Sequence, residues 1–318
     1  MSDRIAVIGA GHVGAAIAYA LMLRGLFPEI LLIDAEEALA AAEAADLSDA
    51  NALARPARIF AGSYADAASA RIAVLTAGAA THGSESRLSV ASRSAAIVQS
   101  CVEKLADAGF DGILVIAANP VDLMAWVALR HARLPSARVM GTGTLLDSCR
   151  LRQNIAARLG VAPAAIEGIV VGEHGDSEVA LWSSIRVGGQ VVERFAPGAL
   201  DAGRIAKEVR DAGYEIIAGK GFTSFGIATA TVRICEAIVR DERVILPVSS
   251  LLTGQLGISD LFLSLPCVVG AGGIERLLIP DMTEAERAAL LESAAAIRRA
   301  ITSLDAQPMP AKGDCTAG

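Results

Sequence analysis

The residues best equipped for chemistry are those of Gly172-Glu173-His174-Gly175-Asp176-Ser177, which follow a run of branched apolar residues, together with Asp147 and Arg150 upstream. An imidazole titrates close to neutral pH and can give or take a proton. A lone histidine between glycines is nevertheless usually a satisfied core or surface residue. Asp147 and Arg150 stand three apart in an expected helix over 147–159 and share one of its faces. An acid and an arginine so placed most often form a solvated salt bridge. Taken one at a time, these residues leave the bland and the chemical readings both open.

A second constellation is more specific. Gly9-Ala10-Gly11-His12-Val13-Gly14 follows a short apolar strand (4–8) and opens an alanine-rich helix reaching about residue 24. A glycine-rich loop between strand and helix is the context a dinucleotide fingerprint requires. Gly9 allows the tight turn, Gly11 the approach of a pyrophosphate and Gly14 close helix–strand packing. The helix N-terminus offers free N–H groups to the phosphates. The next strand (30–33) ends at Asp34, 20 residues beyond Gly14. An acid there accepts from both ribose hydroxyls and repels a 2′-phosphate, so NAD rather than NADP is expected.

These groups need elements to hold them. Helix is expected over 36–45, ended by 46–51, and strand over 57–61 before Gly62-Ser63-Tyr64. Strand 72–76 runs into Ala77-Gly78-Ala79, with Gly78 where a loop would pass a cofactor. A polar segment, 80–91, carries Glu85-Ser86-Arg87-Leu88 and reads as a surface loop or as a lid bringing Arg87 to a substrate. Strand 112–117 leads to Asn119-Pro120-Val121-Asp122, helix 123–131 follows, and strand 138–140 ends at Gly141-Thr142-Gly143. Alternation of this kind predicts an α/β fold with a doubly wound parallel sheet, its ligands at the carboxyl ends of the strands. Beyond it, helices are expected over 202–219 and 228–240, the latter packing back on the first half. Strands over 243–248, 261–265, 267–269 and 274–278 give a mainly antiparallel second sheet. A last helix runs from 283 to about 304, capped by Thr283 or Asp281, and the tail beyond about 307 reads as disordered.

Composition narrows the class. The 318 residues are 53% hydrophobic but only 4% aromatic, as suits helices packed on a buried parallel sheet. A net charge of −7 disfavours nucleic-acid binding. No uncharged apolar run reaches the roughly 18 residues of a membrane span, and a strand starting near Arg4 leaves no room for a signal peptide. The five cysteines include no Cys-x-x-Cys pair and read as reduced and mostly buried. A cytoplasmic protein is expected.

Across nearly the whole chain the sequence resembles the L-lactate/malate dehydrogenase family, on the lactate side. The resemblance is carried by Gly9–Gly14, Asp34, Glu85-Ser86-Arg87-Leu88, Asn119-Pro120-Val121-Asp122, Leu146-Asp147-Ser148-Cys149-Arg150, Gly172–Ser177, Gly221-Phe222-Thr223-Ser224 and Leu246-Pro247-Val248-Ser249. It implies a Rossmann-type domain over 1–141 and an α+β substrate domain over 142–318. It implies an NAD-dependent, reversible reduction of a 2-oxo acid to an L-2-hydroxy acid, in a homodimer or homotetramer. His174 would exchange the proton with the carbonyl oxygen and Asp147 would orient its ring. Arg150 would hold the substrate carboxylate as a two-pronged ion pair, and Arg87, brought by lid closure, would polarise the carbonyl. Asn119 would serve both the carbonyl and the nicotinamide ribose. The expected cofactor set is Gly9, Gly11, Val13, Gly14, Asp34, Tyr64, Gly78, Ala79 and Asn119, with no metal.

Substrate choice in this family depends on the residue six before the lid arginine, here Thr81, neither the glutamine usual in lactate enzymes nor the arginine of malate enzymes. Without a cation a second carboxylate would be buried unpaired, although a protonated His82 could supply partial charge. Thr223 stands where lactate enzymes place threonine against the substrate. Thr81 is small, and a methylene is worth only about 1–3 kcal/mol of discrimination. The expectation is pyruvate/L-lactate with room for longer 2-oxo acids. Oxaloacetate/L-malate is the rival, and a catalytically inactive NAD-binding structural or sensing protein is the remaining reading. Arginine recurs at 152, but Glu167 replaces the histidine of enzymes activated by fructose 1,6-bisphosphate, so that activation is not expected.

Overall fold

A computed structural model describes residues 3–79 and 87–306, with only the backbone of Arg87 and Leu88. The first half alternates β1 (Arg4–Ile8), α1 (His12–Arg24), β2 (Glu29–Ile33), α2 (Glu37–Asn51), β3 (Arg58–Ala61), α3 (Tyr64–Ala67), β4 (Ile72–Leu75), α4 (Arg87–Asp107), β5 (Ile113–Ile116), α5 (Val121–His131) and β6 (Val139–Gly141). These six strands are parallel and lie in the order β3-β2-β1-β4-β5-β6. This is the doubly wound arrangement, whose order reverses between β1 and β4. Apart from the charged first residues Arg4, Glu29 and Arg58, the strands are apolar because helices cover both faces; all four residues of β4 and of β5 are buried.

The second half contains α6 (Leu145–Leu159), β7 (Ile166–Glu167), β8 (Val170–Val171), β9 (Val179–Ala180), β10 (Arg186–Val187), β11 (Gln190–Val191), α7 (Val192–Phe195), α8 (Ala202–Lys220), α9 (Phe225–Val239), β12 (Val244–Thr253), β13 (Ser259–Gly270), β14 (Gly273–Leu277) and α10 (Glu284–Asp305). Its strands are antiparallel, as expected. β12, β13 and β14 do not form a separate sheet. They extend the parallel one to nine strands, joined to β6 through the single pair Ser249–Gly141. Two small sheets, β11-β10-β7 and β8-β9, stand apart.

Three sequence expectations are corrected. α2 does not end at residue 45, because Ala40, Ala44 and Leu47 continue one buried stripe and Ser48 Oγ donates to Ala44 O at 2.7 Å. Residues 261–265 and 267–269 belong to one strand, β13, which runs through Pro266; that proline pairs in register with Pro247 of β12. The helix expected over 228–240 starts earlier, at Phe225. It does pack back on the first half, against α1, and the two helices share one core cluster. Thr283 caps α10 with a reciprocal capping box to Glu286, as the sequence suggests.

Cys101, Cys235 and Cys267 are buried free thiols and Cys149 is an exposed one. Among the described residues no helix is long and apolar enough to cross a membrane.

Candidate active site

The glycine loop closes on itself. Gly9 has φ +100°, and a Cβ there would lie 2.6 Å from Thr76 Oγ1; a Cβ on Gly14 would fall 1.8 Å from Gly9 O. Both positions are glycine because β1, β4 and α1 approach one another too closely for a side chain. Gly11 differs, since a Cβ there would meet nothing within 4 Å. The open space lies at the N-terminus of α1, which no side chain caps. Free N–H groups beside an open cradle fit a diphosphate. Asp34 ends β2 with its carboxylate fixed by Ala10 N (2.6 Å) and Glu36 N (3.0 Å), so the acid is locked to the same loop.

The other expected cofactor residues take varied positions. Val13 is half-buried in the first turn of α1. Gly78 and Ala79 follow β4, and Ala79 N donates to Ser94 Oγ at 3.1 Å. Asn119 is exposed just beyond β5. Tyr64 opens α3, but its phenol turns inward to Cys101, and burial raises its pKa above the usual range. The dinucleotide loop also meets a segment the sequence does not relate to it: the His12 ring stacks on Phe222 at 3.9 Å. This brings the loop carrying Thr223 beside the fingerprint, and a Cβ on Gly226, just beyond, would sit 3.1 Å from Leu146 at the start of α6. Among the described residues, no hydrogen bond ties Thr223 to His174 or Arg150. Thr81 and His82 lie outside the described residues, as does the side chain of Arg87, whose backbone opens α4.

His174 and Asp147 meet because α6 and β8 are bolted together. Thr144 Oγ1 donates to Val170 O at 2.6 Å, and Val170 N donates to Ser148 Oγ at 2.9 Å. The loop then leaves β8 through Gly172, whose φ of +93° and 2.7 Å clearance to Ser293 Oγ exclude other residues. It is pinned from four sides. Gly172 N donates to Ser264 O of β13 (2.9 Å), Glu173 N to Ser293 Oγ of α10 (2.8 Å), His174 N to Asp122 Oδ2 of α5 (2.8 Å), and Tyr214 Oη of α8 to Asp176 (2.7 Å).

So held, His174 Nδ1 donates to Asp147 Oδ2 at 2.6 Å, and Arg150 Nη1 donates to Asp147 Oδ1 at 2.9 Å. Burial opposes ionisation of Asp147, but His174 and Arg150 outweigh it and hold the carboxyl below the ordinary range. Burial likewise opposes the imidazolium. Asp147 overrides it and, with Asp122 and Glu178 assisting, raises His174 to about 9. At neutral pH the ring is a charged proton donor whose Nδ1 is occupied, leaving Nε2 to act.

Sequence reasoning quotes Asp122 and Ser249 inside motifs but gives neither a task. Asp122 is 1% exposed, accepts from His174 N and from Ser249 Oγ (2.5 Å), and is pushed by burial up to about 6. It joins three separate motifs at one carboxylate. Only their spacing at loop ends next to strands could have hinted at this.

A doubly wound sheet with an open phosphate cradle, feeding an imidazole–carboxylate–guanidinium site, defines a nucleotide-dependent oxidoreductase of small acids. Residues 3–141 match the lactate/malate dehydrogenase NAD-binding domain, and residues 144–307 the alpha/beta C-terminal domain of the same enzymes. The chain is 42% identical over 307 residues to the L-lactate dehydrogenase of Thermus aquaticus, covering 95% of this chain and 99% of that one. It is 40% identical over 300 residues to that of Synechococcus sp. (strain JA-3-3Ab), covering 94% and 98%. The crystal structure of the minor L-lactate dehydrogenase from Enterococcus mundtii in its ligands-bound form superposes with a TM-score of 0.92 at 36% identity, over 97% of this chain and 99% of that one. This chain belongs to the lactate/malate dehydrogenase family.

Proposed function

We propose that this protein is an NAD-dependent L-lactate dehydrogenase that reversibly reduces pyruvate and tolerates longer 2-oxo acids. The observation that carries the reading is the pair of contacts on Asp147, 2.6 Å from His174 Nδ1 and 2.9 Å from Arg150 Nη1. One carboxylate thereby orients both a proton donor and a planar cation. The similarity to named L-lactate dehydrogenases favours the monocarboxylic substrate over oxaloacetate.

In this reading the loop at Gly9, Gly11, Val13 and Gly14, with Asp34, Gly78, Ala79 and Asn119, holds NAD. Tyr64, whose phenol turns inward to Cys101, is left out of that set. When bound, the nicotinamide supplies or accepts the hydride. Arg150 takes the substrate carboxylate with the guanidinium N–H groups that Asp147 leaves free. His174 Nε2 gives its proton to the carbonyl oxygen during reduction and recovers it during oxidation. Asp147 fixes the tautomer and steadies the imidazolium. Arg87, Thr81 and Thr223 complete the substrate side, the arginine stabilising charge that develops on the oxygen. The exposed apolar residues Tyr19 and Leu23 on α1 and Ile216 and Ile217 on α8 suit a homodimer or homotetramer, and the buried free thiols suit a cytoplasmic location.

The test is kcat/KM with NADH for pyruvate, oxaloacetate and 2-oxo acids with longer side chains, on the wild type and on His174→Asn. Pyruvate or a longer monocarboxylate should lead. The variant should lose about 10²–10⁴-fold in kcat while NADH affinity, followed by fluorescence, changes little. A strong preference for oxaloacetate, or full turnover without the imidazole, would overturn the assignment.

A further inference from the structure

One carboxyl at the site has no task in the reaction above. Glu178 leads from the His174 loop into β9 and is half-buried. One of its oxygens lies within 4.8 Å of both an Asp147 oxygen and a His174 ring nitrogen. Asp147 cannot offer it a donor, being committed to His174 and Arg150. The charged groups that face Glu178 are Asp147 and Arg150 of α6, Arg210 of α8 and His174 of its own loop. Among the described residues none of these reaches it with a hydrogen bond or ion pair, and Arg210 keeps a buried Nε without an acceptor. Buried carboxylates normally recruit donors. Burial opposes the Glu178 carboxylate most, the Asp147 charge adds to the opposition, and the group is pushed up to about 8.

With Glu178 protonated, His174, Arg150 and Arg210 face the negative charges of Asp147 and, at neutral pH, of Asp122 behind His174. That surplus of one cation suits an incoming substrate carboxylate, and ionisation of Glu178 would cancel it. Resting on the 2-oxo acid reading, we infer that Glu178 sets the charge of the acid/base site: uncharged, it leaves Arg150 and His174 free for the substrate, and ionised, it competes for both. It is a positioning residue, acting through its neighbours on substrate binding.

Two interacting groups release their protons in two macroscopic steps. In wild-type enzyme with saturating NADH, kcat/KM for pyruvate should therefore fall on the alkaline side through two ionisations. The fall steepens towards about a hundredfold per pH unit, and the first step appears in KM. Glu178→Gln should fall through one ionisation, about tenfold per unit, and match the wild type within about twofold near pH 6.5. Because a charged Glu178 also supports the imidazolium, the variant's single step should lie below the wild type's second. A purely structural glutamate would not change the slope. Glu178→Met, uncharged and of similar length, repeats the measurement if the glutamine variant is unfolded at the assay temperature. Limbs of equal slope and position in wild type and variant overturn the inference while leaving the dehydrogenase reading intact. Absence of turnover with every 2-oxo acid, in the wild type, removes both.

Discussion

Asp147 serves two cations at once, and its neighbour Asp122 works by the opposite logic. Asp122 is buried against two neutral donors, a backbone N–H and a hydroxyl, and among the described residues no hydrogen bond or ion pair ties it to a cation. Its pKa in the folded protein, about 6, lies above the ordinary 3.8. A raised value means that its contribution to stability is fully present below about pH 4 and is lost as the pH rises through about 6, roughly 1–3 kcal/mol in all. Asparagine can replace it by accepting from His174 N and donating to Ser249 Oγ. Asp122→Asn should then be as stable as the wild type or more so at pH 7.5 in urea unfolding, and should lack the wild type's loss of stability between pH 4 and 6. It should also move the alkaline limb of kcat/KM to lower pH, because His174 loses a supporting charge. An unmoved limb would mean that Asp122 only holds the loop in place.

At the scale of elements, the glycine loop separates two demands that its sequence pattern merges. Gly14→Ala would drive a methyl group into Gly9 O, whereas Gly11→Ala would point one into open space. The first should lower Tm by several degrees and abolish NADH binding. The second should leave Tm nearly unchanged and weaken NADH binding about tenfold or more, as read by fluorescence titration. Equal effects on Tm would refute this division of labour. The loop was legible because its information is local: a strand, three glycines and a following helix all lie within residues 4–24. The pairing of His174 with Asp147 became legible only through family resemblance, since no spacing rule relates a helix turn to a loop 27 residues away. The raised pKa values of Asp122 and Glu178 were not legible at all. They arise from burial by elements that meet only in the folded chain. The continuation of α2 to Asn51 was missed because Asp46, Ser48, Asp49 and Asn51 read as helix-ending residues, while the stripe through Ala40, Ala44 and Leu47 decided the outcome.

On the scale of the whole molecule, the antiparallel strands anticipated in the second half are present, but they continue the first half's sheet instead of facing it. The joint is narrow. That narrowness is one of strand pairing alone: Asp122 binds Ser249 across the same seam, and core clusters containing residues of both halves pack around it. Catalytic loop and β12 are thereby gathered at Asp122, in the first turn of α5.

That gathering has a consequence for how the protein becomes active. Asp122 takes its two partners from 52 and 127 positions further along the chain, and contacts so distant in sequence close late, after the entropy of the intervening loops has been lost. Apart from the His12 ring, which stacks on Phe222, the glycine loop and Asp34 draw on neighbours no further along than residue 77. During refolding from denaturant, NADH fluorescence enhancement should therefore return before pyruvate turnover does. Simultaneous recovery would show that both halves condense together. The chain would then pass through a stage at which it can hold its cofactor but not yet use it.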